Sequence, residues 1–286
     1  MKKLKLKKIK CEICGSQDYT LYRKNSGLAM VQCKTCKLVY VNPQPTLSYL
    51  KDFYNKGEYR EERWDFIPSY IQLITDGHRK VADYLIGKTK TKKPQMLDIG
   101  SGLTDQFHYL QKKNWNVMGT ELSKTFVDAY IQRGFTIKYG DVLKMHFKEK
   151  KFDVIVMMAV LEHLTNPKKY LLECHRLLKD EGVLIFKIPN LHYTLMNSTK
   201  LPLSEQMHLF HFTPTTIKML LEKCGFEIIK NEPLLECGSE NKLKHAVMVA
   251  WDKVSWVIYK ATGMHTNLQM TVYAKKSKRN CHGKHR

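Results

Sequence analysis

The stretch Met96-Leu97-Asp98-Ile99-Gly100-Ser101-Gly102 limits what this chain can become more than any other. A short apolar strand runs into an acid and then into two glycines one residue apart. Glycine accepts φ > 0 without steric cost and has no Cβ, so the amides of such a loop can touch a ligand directly. From Gln95 onward short apolar runs alternate with helical patterns, which predicts a parallel α/β sheet with helices on both faces. The spacing places strands at 95–99, 115–119, 135–138, 152–158, 183–188, 226–230 and 268–274, with helices near 103–113, 123–133, 167–179 and 214–224. Asn166-Pro167 and Thr213-Pro214 each set a capping residue before a proline at the first helical position. Gly225 ends the second of these helices as a left-handed cap.

In an open parallel sheet, ligands bind at the carboxyl ends of the strands near the switch point. Chemistry-bearing residues fall at four such ends in turn. Asp98, Gly100, Ser101 and Gly102 follow the first strand, Glu121 and Leu122 the second, and Asp141 and Val142 the third. Ala159 and then Val160-Leu161-Glu162-His163-Leu164 follow the fourth. A carboxylate after the second strand can accept both hydroxyls of a ribose, so Glu121 marks a ribosyl ligand. The dinucleotide fingerprint fails, because Asp105 stands where its third glycine belongs. A diphosphate would be repelled by Asp98 and Asp105, whereas a ligand carrying a sulfonium and an ammonium would not. Asp141 supplies the acceptor that an adenine amino group needs.

Leu97-Asp98-Ile99-Gly100-Ser101-Gly102, Glu121, Asp141 and Val160-Leu161-Glu162-His163-Leu164, in that order, resemble the class I S-adenosylmethionine-dependent methyltransferases. The resemblance covers about 95–275 and implies a seven-stranded, mostly parallel Rossmann-like sheet, the cofactor S-adenosylmethionine, and methyl transfer. By it Gly100 and Gly102 line the methionine part, Glu121 the ribose, and Asp141 with Val142 the adenine; Asp98, Ser101, Leu122, Ala159 and Glu162 complete the candidate cofactor set. The family's usual third glycine is replaced here by Thr104. Leu38-Val39-Tyr40-Val41-Asn42-Pro43, Tyr54 and His208-Leu209-Phe210-His211-Phe212-Thr213-Pro214 are similar to bacterial methyltransferases that act on sugars, surface glycans and other small metabolites. Some ribosomal-RNA methyltransferases also carry an N-terminal zinc ribbon before this fold.

Cys11-x-x-Cys14 and Cys33-x-x-Cys36 are separated by 18 residues, the spacing of two knuckles that share one metal. Four thiolates fill the tetrahedron of Zn2+ and leave no open position, so the expected metal is structural and supplies folding energy that about 40 residues cannot. Gly15 allows the tight turn after the first pair. Cys174, Cys224, Cys237 and Cys281 show no such pairing and read as core or surface thiols, and the cluster Cys281, His282 and His285 reads as disordered tail.

Val39-Tyr40-Val41 reads as a strand that the prolines of Asn42-Pro43-Gln44-Pro45 bring to an end. Tyr49, Phe53, Tyr54, Tyr59, Trp64, Phe66 and Tyr70 form an aromatic-rich linker, and Ile71, Ile74, His78, Val81, Ala82 and Leu85 predict a helix ended by Gly87. Leu243, Val247, Ala250, Trp251, Val254, Val257 and Ile258 make a further apolar stripe, read as core. The expected organisation is a zinc ribbon with a basic tail over 1–45, the linker and leading helix over 46–94, the methyltransferase domain over 95–275 and a basic, disordered tail over 276–286.

The net charge of +21 is concentrated at the ends, with six Lys among residues 2–10 and six Lys or Arg among residues 275–286. Such runs are usually solvated, and Lys outnumbers Arg 40 to 8, which leans away from guanidinium-driven phosphate recognition. Nucleic acid is therefore a disfavoured partner. No apolar run approaches the roughly 20 residues of a membrane span, and no signal-peptide core precedes Cys11; a cytoplasmic location is expected. Three classes of function fit: transfer to a small molecule, most plausibly a sugar or nucleotide-linked sugar; transfer to ribosomal RNA or protein; and an inactive zinc-ribbon binding protein. The residues favour the first. If the acceptor must lose a proton, the candidate catalytic groups are His163, His208 and His211, with His192 and Tyr193 as further candidates on the same loops, while Glu162 is expected to order its loop.

Overall fold

The computed structural model describes residues 5–25, 28–55, 81, 83–84, 91–102, 106–191, 208–233, 250, 253–255, 257–258, 261–262 and 269–278. The chain opens with five short strands, β1 (Leu6–Lys7), β2 (Tyr19–Asn25), β3 (Leu28–Cys33), β4 (Val39–Val41) and β5 (Gln44–Pro45), and helix α1 (Leu47–Asn55). β6 (Gln95–Ile99), α2 (Gln106–Lys112), β7 (Asn116–Glu121), α3 (Lys124–Gln132) and β8 (Ile137–Tyr139) follow, then β9 (Phe152–Met158), α4 (Pro167–Leu177) and β10 (Leu178–Pro189). The C-terminal part holds β11 (Phe210–His211), α5 (Pro214–Lys223), β12 (Phe226–Pro233) and β13 (Gln269–Lys276).

Seven strands form the main sheet in the order β12-β13-β10-β9-β6-β7-β8. The pairs β10/β9, β9/β6, β6/β7 and β7/β8 are parallel, while β13 runs antiparallel to both β10 and β12. The expected parallel sheet is thus a mixed one. Apolar runs report that a strand is buried, not which way it points, so the direction of β13 was not legible. β6 sits between β9 and β7, and the chain leaves it toward opposite edges of the sheet, which makes its carboxyl end the switch point.

Both expected caps are present. Asn166 accepts from the Lys169 amide ahead of Pro167, and Thr213 exchanges side-chain and backbone bonds with Thr216 ahead of Pro214. Gly225 closes α5 at φ +82°. α4 stops at Leu177, short of the expected 179, because Leu178 already pairs with Phe152 and Lys179 reaches Asp153 at 2.8 Å.

The N-terminal region departs from expectation. β2, β3 and β4 form an antiparallel sheet, and β11, from beyond the main-sheet strands, is its fourth strand, pairing Phe210 with Tyr40 and His211 with Val39. Pairing does not stop at the prolines: Gln44 and Pro45 pair with Lys7 and Leu6, and the Thr46 amide donates to the Lys5 carbonyl at 2.9 Å. A proline lacks a donor, yet on a two-stranded edge its carbonyl still serves. Lys5 to Lys10 therefore belong to or flank a folded edge rather than a free tail, and Lys276 closes β13.

Ribbon and main sheet share one core. Cys11, Ile13, Leu38, Tyr40 and Phe210 lie in the same buried cluster as Leu97, Ile155, Phe186 and Val272. Tyr49 and Phe53 of the expected linker pack against it from α1. Val81 is buried and Tyr84 meets Tyr273 edge-on at 4.6 Å. Tyr59, Trp64, Phe66, Tyr70, Ile71, Ile74, His78, Ala82, Leu85, Gly87, Cys237, Cys281, His282 and His285 lie outside the described residues. Of the late apolar stripe, Leu243, Val247 and Trp251 do so too, while Val254 and Val257 are 49% and 62% exposed and the intervening Ser255 is buried. Val254 and Val257, expected in the core, are therefore on the surface. No described helix is long and apolar enough to cross a membrane.

Candidate active site

β6 and β7 run parallel with Asp98 beside Gly119 and Ile99 beside Thr120, so their carboxyl ends deliver the glycine loop and Glu121 together. Gly100 has φ +69° and Gly102 φ +52°. A Cβ on Gly100 would stand 2.7 Å from Cγ2 of Val160, so conformation and packing both demand glycine there. The Gly100 and Ser101 amides donate to the Thr120 carbonyl at 2.8 and 3.2 Å, and Ser101 Oγ donates to the Asp98 carbonyl at 3.2 Å. Glu121 is oriented by three amides: Oε1 accepts from Leu122 and Ser123 at 2.7 and 3.0 Å, and Oε2 from Gly102 at 2.9 Å.

Asp98 is 1% exposed and its Oδ2 has no hydrogen-bond partner. Burial, reinforced by the charge of Glu121, pushes its carboxyl up to about 8. An orphaned buried acid beside a second acid fits a cationic ligand group. At the end of β8, Asp141 caps the turn Val142–Lys144, its Oδ1 accepting from the Leu143 amide at 3.1 Å and the Tyr170 hydroxyl at 3.0 Å. Tyr170 carried no sequence signal beyond its place in a helix. Val142 is buried in the core cluster.

After β9, Ala159 is exposed with φ +56°, and a turn over Leu161–His163 follows. Glu162 is 1% exposed, and neither oxygen of its carboxylate has a hydrogen-bond partner. Burial pushes it up to about 8, against the opposing charge of Lys187. Lys187, itself buried, is the one charge in the apolar run Val183–Ile188, a sequence signal that points to it. The side chain of Glu162 makes no bond that would order the loop, contrary to expectation; its backbone carbonyl does that by accepting from the Leu209 amide at 2.7 Å.

The Leu209 carbonyl in turn accepts from the Val41 amide of the ribbon at 2.9 Å, and β11 begins there. This brings the three candidate histidines together. The rings of His163 and His208 meet edge-on at 4.6 Å, and those of His208 and His211 lie 6.3 Å apart. Burial drives His208 down to about 4, and burial with the charge of His208 drives His211 down to about 3. Both are neutral near pH 7, as expected, but bind a proton more weakly than a base tuned to that pH. His192, Tyr193, Thr104 and Asp105 lie outside the described residues.

The four ribbon cysteines converge. Cys11 and Cys36 Sγ are 3.3 Å apart, Cys14 and Cys33 Sγ 3.4 Å, and all four lie within 4.8 Å of one another. Thiolates bound to a common zinc stand about 3.8 Å apart, so the set fits the ion. The knuckles match: Gly15 at φ +74° follows the first pair, and Lys37 at φ +65° the second. Burial pushes the Cys11 thiol well up and Cys36 up to about 11. Burial opposes ionisation of Cys33 as well, but hydrogen bonds from the Cys36 amide and its neighbours outweigh it and bring that thiol down to about 7. Cys174 and Cys224 are core thiols.

Residues 97–186 match a family model described as a methyltransferase domain. The chain is 27% identical to an uncharacterized protein of Methanocaldococcus jannaschii, over 77% of this chain and 97% of that protein. It is 31% identical to the ubiquinone biosynthesis O-methyltransferase of Actinobacillus pleuropneumoniae over 44% of this chain, and spans 59% of the length of that relative. Its fold is similar to that of the Burkholderia thailandensis 1,6-didemethyltoxoflavin-N1-methyltransferase, solved with that compound and S-adenosylhomocysteine bound: TM-score 0.57, 14% identity, 90% of this chain and 99% of that one. The mixed seven-stranded sheet, the row of acids and glycines at its switch point and the matched domain define a class I S-adenosylmethionine-dependent methyltransferase. The chain is an enzyme of that kind, with S-adenosylmethionine as its methyl donor.

Proposed function

We propose that the enzyme methylates a small, hydroxyl-bearing acceptor, a sugar or nucleotide-linked sugar, in a site that the zinc ribbon helps to enclose. The observation that carries the reading is the row Asp98, Gly100–Gly102, Glu121 and Asp141 on one side and the grouped rings of His163, His208 and His211 on the other. In this reading the orphaned carboxylate of Asp98 takes the ammonium of the donor's methionine part. The Gly100–Gly102 loop lies against that part, with Ser101 holding its turn. Glu121, already fixed by three amides, presents its carboxylate to the ribose hydroxyls, with Leu122 beside it. Asp141, whose Oδ1 is occupied, offers Oδ2 to the adenine amine above Val142. Ala159 and Glu162 edge the same cleft. The donor supplies a methyl group on a sulfonium, so the protein's work is alignment and exclusion of water.

Zn2+ held by Cys11, Cys14, Cys33 and Cys36 is the proposed structural metal. His163 and His208 are half-buried and His211 is buried, and the proposed acceptor is a molecule small enough to reach them. The relatives that name an acceptor chemistry, an O-methyltransferase and an enzyme with 1,6-didemethyltoxoflavin bound, support the small-molecule class. A cytoplasmic location completes the reading.

The test is transfer of labelled methyl from the donor to a panel of sugars, nucleotide sugars, hydroxylated aromatics and ribosomal RNA. Label in a sugar-bearing acceptor is the expected result, with none in Gly100→Val, where the side chain collides with Val160. Replacing His208 or His211 by Gln is expected to lower turnover by roughly 10²-fold or more if proton removal limits it. Label confined to ribosomal RNA would overturn the acceptor class.

A further inference from the structure

Glu162, His163 and His208 present a carboxylate oxygen and two imidazole nitrogens that all lie within 4.8 Å of one another. They come from two separate elements: the turn after β9, and the segment leading into β11, where His208 stands two residues before Phe210. The Leu209 amide clamps the two together through the Glu162 carbonyl at 2.7 Å, so the grouping is set by backbone. Inside it stands a carboxylate that is 1% exposed, with both oxygens lacking a hydrogen-bond partner. An ionised carboxylate is not left this way in a core; it is answered by a cation or a proton. Lys187 is the cation whose charge reaches it, and it supplies no hydrogen bond to either oxygen.

We propose that Glu162, His163 and His208 form a second metal site, distinct from the four cysteines, that takes a divalent cation such as Mn2+, Fe2+ or Co2+. One carboxylate and two imidazoles suit these ions, whereas four thiolates select zinc, so the two sites of this chain differ in the ion they retain. Ligands on a common ion stand about 3 Å apart at bond lengths near 2.1 Å, closer than the 4.8 Å within which these atoms now lie, so the three side chains draw together on binding it. Three protein ligands leave coordination positions open. The use of the site rests on the methyl-transfer reading: an acceptor hydroxyl bound there gives up its proton to water more readily. Its oxygen then forms the new C–O bond as the C–S bond of the donor breaks, leaving the neutral thioether. The preferred acceptor is one whose hydroxyl neighbours a second oxygen, so that both can ligate the same ion.

The probe is Mn2+ titrated into the full chain with its ribbon metal retained, read by loss of the free-ion electron paramagnetic resonance signal. S-Adenosylmethionine binding is measured in parallel by calorimetry. The expected result is one Mn2+ per chain, with affinity lowered about tenfold or more in both Glu162→Gln and His208→Asn, a loss of 1.4 kcal/mol or more. Unchanged zinc content and an unchanged circular dichroism spectrum in both variants show that they fold. Donor binding without Mn2+ uptake, or uptake indifferent to both variants, would overturn the site and leave the methyltransferase reading standing. Uptake at this site without donor binding would overturn its proposed use with an acceptor.

Discussion

In the main sheet, Met96, Leu97, Ile155, Val156, Met157, Leu184, Ile185 and Phe186 are buried on the central strands with essentially no exposure. In the ribbon sheet, Leu21 on the edge strand β2 is 65% exposed, and the buried interior is completed by Cys11, Cys33 and Cys36. The main sheet is held chiefly by apolar area, which at about 25 cal/mol per Å² suffices for a layered core. The ribbon buries Ile13, Leu38, Val39 and Tyr40 as well, but its interior is completed by thiols and by β11, a strand lent by the other region. The loan runs both ways. The segment that completes the ribbon also carries His208 and His211, so under the proposed function the donor half of the site rests on the main sheet while the acceptor half hangs between the two.

The sharpest way to break this contrast is to remove the proposed zinc. Chelation, or Cys36→Ser, withdraws ligation that in isolated zinc modules is worth roughly 10–16 kcal/mol of apparent folding energy. Turnover is expected to disappear while S-adenosylmethionine affinity, measured by calorimetry on the same sample, stays close to its starting value. If donor binding vanishes together with the metal, the two sheets are one cooperative unit and the division fails.

A smaller effect sharpens the donor half. Burial and Glu121 raise Asp98 to about 8, so the folded, ligand-free protein holds a proton that the unfolded chain releases near the ordinary carboxyl value. Free-protein stability should therefore fall as pH rises from about 4 to about 8 through this group. Donor affinity should change in the opposite direction. An ammonium wants the ionised acid, so affinity rises with pH and levels off above about 8. Calorimetry in buffers of different ionisation enthalpy should detect up to one proton released per donor bound at pH 7. Asp98→Asn should remove that release, and a flat profile in the parent protein would separate Asp98 from the ammonium.

The smallest expected effect concerns the charged ends. Removing residues 1–4 and 279–286, which leaves the β1 pairing and β13 intact, is expected to leave turnover unchanged and its salt response shallow. A rate that collapses by about 0.2 M salt would instead mark phosphate contacts and return nucleic acid to the list of acceptors.

The donor half was readable because its chemistry sits in consecutive residues. A strand, an acid and two glycines declare a turn with positive φ, and Gly100 and Gly102 adopt it. Glu121 and Asp141 stood at strand ends that apolar runs had already located. The acceptor half was readable only as residue types. Nothing in Phe210-His211 announces that it will pair with Tyr40 and Val39, because pairing across sheets depends on shape in three dimensions. Lys37 hid a left-handed turn that glycine would have advertised, and Tyr170 came to Asp141 from another element.

Tyr40 and Phe210 lie about 170 residues apart in the chain, so closing their contact carries the entropy of a very long loop and cannot happen until most of the polypeptide exists. During synthesis the ribbon emerges early and must wait with the β4 edge open, an unsatisfied ladder of amides and carbonyls of the kind other strands recruit. Metal capture at that stage would keep the waiting sheet in register. The histidine end of the site is then the last part of the molecule to assemble and, by the same loop entropy, the first to open.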